Sequence, residues 1–253
     1  MLGMDRSSVP QVDLDELDHG QVDRYLAEHA ARLVEAVGRD EAAIRLGIFA
    51  KSSPRLLPTH AGLYVFGRVP QAYFPEWGVS CIALDGRTLL DPELRRADLE
   101  GPLASLADDA LAFALPSASE TETSATAPYA RALVREVLVN ALVHRDLRRA
   151  SRVALRVFTD RLEIQSPGGP PEGLGDLEDV AREGGTSLAR NPTIAALARK
   201  LGLADQLGRG LMRVVHEGGQ GPEERVEIRT SPREVSVSLP ARWRAPRDPA
   251  SLS

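Results

Sequence analysis

With 253 residues, 43% hydrophobic and 26% charged, the chain has ordinary globular composition, which excludes collagen-like and wholly disordered classes and favours two modest domains. Its 31 Lys+Arg against 36 Asp+Glu give a net charge of −5, the wrong sign for a protein that coats nucleic acid by neutralising phosphates. A single cysteine, Cys81, excludes an internal disulfide, no apolar run nears the ~20 residues that span a bilayer, and MLGMDRSSVPQVDLDELD lacks the blocks of a signal peptide, so a cytoplasmic protein without a membrane partner is expected.

Residues 1–12 are polar with one Pro and are expected to fray. Leu17, Tyr25, Leu26, Ala30, Leu33 and Val34 recur at helical spacing and predict one helix to about Val37, stopped by Gly38. Asp40 is then expected to cap a short helix that Gly47 closes. The stretch KSSPRLLPTHAGLYVFGRVPQAYFP reads as a loop, a helix from near Thr59 and a turn at Gly67–Pro70. In WGVSCIALDG, Val79, Cys81 and Ala83 alternate with Ser80, Ile82 and Leu84, which predicts a buried strand ending at Asp85–Gly86. Asp98 to Leu115 reads as an amphipathic helix, and PSASETETSATAP, without a large apolar residue, as a linker. The expected domains are 13–115, a linker at 116–127, 128–240 and a tail at 241–253.

The stretch YARALVREVLVNALVHRD places Glu136, Asn140 and His144 four residues apart, one row on a helix. Leu133 and Val137 flank the row on one side, Val139 and Val143 on the other, and Arg131, Arg135 and Arg145 fall around the back. A polar row inside an apolar face is costly to bury without partners, so it marks either a ligand-binding cleft or a set of internal hydrogen bonds. Next, RVALRVF and RLEIQ form a hairpin around Thr159–Asp160, running into the Gly- and Pro-rich SPGGPPEGLG. Asn191–Pro192 reads as cap and first-turn proline of a helix through Ile194 and Leu197, and RVEIRT with EVSVSLP as a closing hairpin. Arg145, Arg148, Arg149, Arg152 and Arg156 crowd this region, as a local nucleic-acid patch or, more commonly for such runs, as solvated faces.

The order Glu136-x-x-x-Asn140 on a helix, two strands, a glycine turn, a Gly-containing segment and Gly208-Arg209-Gly210 opening a helix resembles the GHKL (Bergerat-fold) nucleotide-binding domain. More closely, REVLVNALVHRD, RLEIQSPGG, SLARNPTIAALARKLGLADQLGRGLMRV and VSVSLP resemble its RecG-like type, found after Schlafen/AlbA-type domains in bacterial transcriptional regulators. The resemblance spans roughly residues 15–240, without the Schlafen/AlbA-type module or a winged helix, so direct nucleic-acid binding is not expected. The chain also has no G-x-x-x-x-G-K-[ST] loop, which sets P-loop chemistry aside.

What the resemblance implies is an α+β protein: a two-layer α/β sandwich with a mixed, mostly antiparallel sheet covered by helices, preceded by a smaller α+β region. It also implies ATP with Mg²⁺ and a protein partner or self-association. Asn140 would give an oxygen to Mg²⁺ through the nucleotide, and Glu136 would serve as general base. His144 and Arg190 would approach the phosphates, Ser166 with Gly168 and Gly169 the adenine, and Gly208, Arg209 and Gly210 the phosphates again. Ser166 stands where the family usually has Asp. Residues 184–191 would form a lid. Three roles follow: a nucleotide-controlled regulatory protein, a scaffold without nucleotide, or a slow ATPase.

Overall fold

The computed structural model describes residues 3–115, 127–170, 189–204 and 226–240, with a few isolated positions between 177 and 215. Its centre is a six-stranded mixed sheet. In chain order the strands are β3 (Val79–Leu84), β4 (Glu93–Leu99), β5 (Val153–Val157), β6 (Arg161–Pro167), β7 (Glu227–Thr230) and β8 (Glu234–Pro240), arranged as β4-β3-β5-β6-β8-β7. Only the β3–β5 pair is parallel.

Period-two alternation makes one face of the sheet apolar. Val79, Cys81 and Ala83, then Val153, Leu155 and Val157, then Leu162 and Ile164, then Val237 and Leu239 all point inward and are buried. Helix α5 (Leu103–Ala114) covers β3 to β5 and α6 (Ala127–His144) covers β6 and β8, completing the second layer. This is the two-layer arrangement that the resemblance implied. Strands from both sides of residues 116–126 share one sheet and one continuous core.

The remaining helices, α1 (His19–His29), α2 (Ala31–Val37), α3 (Arg39–Arg45), α4 (His60–Phe66) and α7 (Pro192–Lys200), pack with a hairpin of β1 (Phe49–Ser52) and β2 (Arg55–Pro58). Several elements differ from the sequence reading. The helix expected to run to Val37 breaks at Ala30, whose backbone leaves the helical region (φ −143°, ψ 22°), and Leu33, Val34 and Val37 pack on the core from the second segment. Gly38, rather than Asp40, is the N-cap residue of α3. The β1–β2 hairpin lies within what read as a loop. Strand β4 overlaps the start of the expected Asp98 helix; as an outer strand with both faces largely wet it carries charges and no alternating pattern to read.

The first twelve residues do not fray where they are described. Val9 and Val12 are fully buried, and Val9 N donates to Pro58 O at 2.9 Å. Asp5, also fully buried, accepts at Oδ2 from Thr193 N (2.7 Å) and Ile194 N (3.1 Å). It therefore supplies the cap of α7 across 188 positions of the chain, satisfying two of the N–H groups that a helix start leaves without partners and placing a carboxylate at the positive end of the dipole. Asn191, expected in that role, makes no side-chain cap bond and is used elsewhere. Asp5→Ala should lower stability by about 1–2 kcal/mol, read as a fall in melting temperature, while a similar change at the exposed Asp13 leaves it in place.

Candidate functional site

The site grows from the C-terminal end of α6. A helix leaves its last four carbonyls without intrahelical partners, and here buried side chains answer two of them, at Ala141 and Val143, and the next carbonyl, of Arg145. Ser166 has the same strand parity as Leu162 and Ile164, so it points inward, and its hydroxyl donates to Ala141 O at 2.7 Å. Asn191 is buried and its amide donates to Val143 O and Arg145 O, each at 2.8 Å. Both residues thus lock α6 to β6 and to the start of α7.

The polar row of α6 is half-buried at Glu136, Asn140 and His144. Asn140 Nδ2 donates to Glu136 Oε1 at 3.1 Å. A carboxylate only accepts, so the amide nitrogen faces Glu136 and the Asn140 Oδ1 atom is turned to the other side. His144 lies near Arg190 and Arg199; burial first, then these two guanidinium groups, push its pKa down to about 4, and the ring is neutral at pH 7.

Arg145 does not fall around the back of the helix as the wheel suggested. It is fully buried, donates to Glu76 O (2.7 Å) and Ser151 O (2.9 Å), and burial draws its pKa down. Trp77 returns the tie through Nε1 to Leu147 O at 3.2 Å. The rest of the arginine cluster is dispersed: Arg152 pairs with Glu100 (3.1 Å), Arg156 with Glu163 (3.6 Å), and Arg148 with Asp146 (3.0 Å). Arg149 completes the set, standing 3.8 Å from Asp146 Oδ2 and donating to Pro232 O at 3.2 Å.

Asp146, unmarked in the sequence, is the hub around the glycine turn. Burial opposes its charge, but the hydrogen bonds from Arg148, with Arg190 nearby, outweigh it and hold the carboxyl below the usual carboxylate range. Gly168 has φ +96°, and a Cβ there would stand 2.6 Å from Asp146 Cβ. Gly169 lies against Ser231 O and Pro232, and Arg190 donates to Gly169 O while its Nη1 stands 3.7 Å from Asp146 Oδ2. Protein atoms therefore surround the turn, and both glycines are needed for that close approach. The structure brings together Ser166, Gly168, Gly169 and Arg190 beside the end of α6, with His144 at their edge. Gly208, Arg209, Gly210 and residues 184–188 of the expected lid lie outside the described residues.

For Mg²⁺ the donor chemistry fits: a neutral carboxamide oxygen and a carboxylate are hard oxygen donors. Among the described residues no cluster of three or more His, Cys, Asp or Glu could hold a metal by itself, so phosphate oxygens would have to complete the shell. A separate cleft of about 300 Å³, lined by Asp18, Gln21, Arg24, Tyr25, Glu28, Phe66 and Leu201 among others, contains none of the predicted site residues.

With this geometry in view, residues 150–239 match the family model described as "Putative ATP-dependent DNA helicase recG C-terminal". This segment is similar to the RecG C-terminal type. The matched range begins after α6, at the hairpin and glycine turn, and includes Ser166, Gly168, Gly169 and Arg190. The DIP2311 protein from Corynebacterium diphtheriae, known from a crystal structure, has a similar fold, with a TM-score of 0.62 and 22% identity over 95% of this chain. The chain spans 40% of that protein's chain, and the likeness speaks for the fold alone. No curated protein sequence matches. Among the described residues no helix is long and apolar enough to cross a membrane.

Two outcomes follow from the packing. Gly168→Ala should destabilise the fold by about 1–3 kcal/mol, measured by chemical denaturation. A His144 pKa below its unfolded value means that the unfolded chain binds more protons between about pH 4 and 6.5, so stability falls as pH drops through that window. His144→Gln should flatten this part of the stability profile, and the wild-type ring should titrate near pH 4 by NMR.

Proposed function

We propose that this is a cytoplasmic ATP-binding regulatory protein whose nucleotide phosphates, with Mg²⁺, rest on the polar row of α6. The observation that carries the reading is the Asn140–Glu136 hydrogen bond, because it fixes the amide with Oδ1 available to a cation. The family match over residues 150–239 supports an ATPase-like domain, and the arginines beside neutral His144 supply positive charge for phosphate oxygens. When bound, Mg²⁺ would neutralise phosphate charge. Asn140 would hold it, His144 would donate one neutral hydrogen bond, and Arg190 would bring a guanidinium from the segment before α7. In this reading residues 184–191 form the lid and Gly208, Arg209 and Gly210 its far phosphate contacts, so that nucleotide alters a surface for a protein partner or a second copy. The division into 13–115, a linker and 128–240 belongs to the same proposal.

A slow ATPase is the same site with Glu136 as general base: its carboxylate would orient the attacking water and take its proton. The scaffold reading also has an observation in its favour. The Ser166 hydroxyl is spent on Ala141 O, and Asp146, Arg190 and Pro232 crowd the glycine turn where an adenine would approach. A lone-pair acceptor on Ser166 is the most that side chain offers to an adenine amino group.

ATP with Mg²⁺ at about a hundredfold excess over Kd should raise the melting temperature by about 5 °C. Asn140→Ala should abolish that rise without changing the melting temperature of the free protein by more than a degree or two. An unchanged melting curve for the wild type leaves the scaffold reading in its place. If phosphate is released, Glu136→Gln should stop release while the nucleotide-induced shift survives.

A further inference from the structure

Strand β4 closes one side of the six-stranded sheet, and among the described residues it pairs with β3 alone. Which of its backbone groups are free follows from β3. Val153 N donates to Gly78 O, and β3 runs parallel to β5 with Val79 opposite Val153. In such a ladder a residue bonds the two neighbours of the one it faces, so Ser80 and Ile82 turn their N–H and C=O groups towards β5. Val79, Cys81 and Ala83 then serve their β4 partners Leu99, Ala97 and Arg95. The N–H and C=O groups of Arg96 and Asp98 are left directed outward.

An exposed edge of this kind is a template for another strand. Charged residues and a bulge commonly guard edges, and β4 has both, with a register shift opposite Ala83 and Leu84. Its charges, however, are ordered so as to match an antiparallel copy of itself. Two copies related by a two-fold axis pair with outward residues opposite outward residues, so the axis must pass through a residue rather than between two. An axis at Arg96 sets guanidinium against guanidinium, and one at Arg95 does the same. An axis at Asp98 opposes two carboxylates. With the axis at Ala97, Arg96 of each copy faces Asp98 of the other, both being the outward, bond-exchanging residues, and two small methyl groups meet on the axis.

The neighbouring surface carries exposed apolar side chains among its charges. Leu89, Leu90 and Leu94 are exposed, Leu90 to 97%, on the turn before β4 and at the bulge. The present partners of the two charges, Glu93 for Arg96 at 2.7 Å, and Ser80 at 2.6 Å with Arg152 at 3.7 Å for Asp98, are contacts in which both charges stay largely exposed, and exchanging them costs little. We propose that β4 pairs antiparallel with β4 of a second copy, centred on Ala97, joining two six-stranded sheets into one. This is independent of nucleotide binding.

The test is the mass in solution, by light scattering across a concentration series, of wild type, Arg96→Asp, Asp98→Arg and an equimolar mixture of the two variants. Wild type should form a dimer. Each variant alone opposes like charges twice and should raise the dimer dissociation constant at least about tenfold. In the mixture, Asp at 96 faces Arg at 98 and the native pair faces across the other half, so dimer should return. Both positions are exposed, and unchanged melting curves of the variants confirm that folding is intact. A wild type that stays monomeric at every concentration, variants that dimerise as well as wild type, or a mixture that does not recover would each overturn the proposal.

Discussion

The C-terminal carbonyls of α6 are the constraint on which the centre of this protein depends. They end in the core, where each unpaired acceptor costs about as much as a lost hydrogen bond. Ser166 from β6 meets Ala141 O, and Asn191 from the start of α7 meets Val143 O and the following Arg145 O. By doing so they fix where the last strand residues, the glycine turn and α7 stand relative to the polar row. The side chains that a nucleotide reading needs are therefore positioned by the same bonds that finish the helix. Ser166 cannot be altered for recognition without exposing a carbonyl in the core.

A second constraint acts from the opposite side. Arg145 is buried and is bonded by main-chain oxygens of Glu76 and Ser151, while Trp77 returns a bond to Leu147 O. These contacts reach from the loop after α6 to the segment that leads into β3. Since β3 then runs parallel to β5 in the central sheet, the upstream and downstream parts of the chain hold one another in register. Asp5 extends the same logic to α7, which it caps from the N-terminal segment. Movement at the start of α7 is thereby linked to residues far away in sequence.

Electrostatically the site is arranged around one neutral ring and one saturated carboxylate. His144 keeps its proton off beside Arg190 and Arg199, and Asp146 draws Arg148 and Arg190 to the glycine turn. Arg190 thus sits between an internal anion and the phosphates assigned to the row. Any phosphate that engages it competes with Asp146 and Gly169 O, which sets a threshold for binding rather than a vacant cradle.

The sequence by itself determined the inward strand faces of β3, β5, β6 and β8, the Thr59 helix start and the position of the polar row, because each follows from periodicity or a local cap that acts within a few residues. It also carried ordered motifs that resemble the RecG C-terminal type, from the hairpin to the closing strands. What only the tertiary structure decided are the pairings between distant segments. The edge strand β4 was hidden because wet faces select no apolar pattern. Asp5 as the cap of α7, Asn191 and Ser166 as partners of α6, and Arg145 as a buried tie were likewise illegible. Local patterns suggested fraying for the segment of Asp5, a cap for Asn191 and a solvated face for Arg145, and the energy of an unmet polar group in the core, which no local pattern encodes, assigned them otherwise; for Ser166 it added a bond to Ala141 O that the resemblance did not imply.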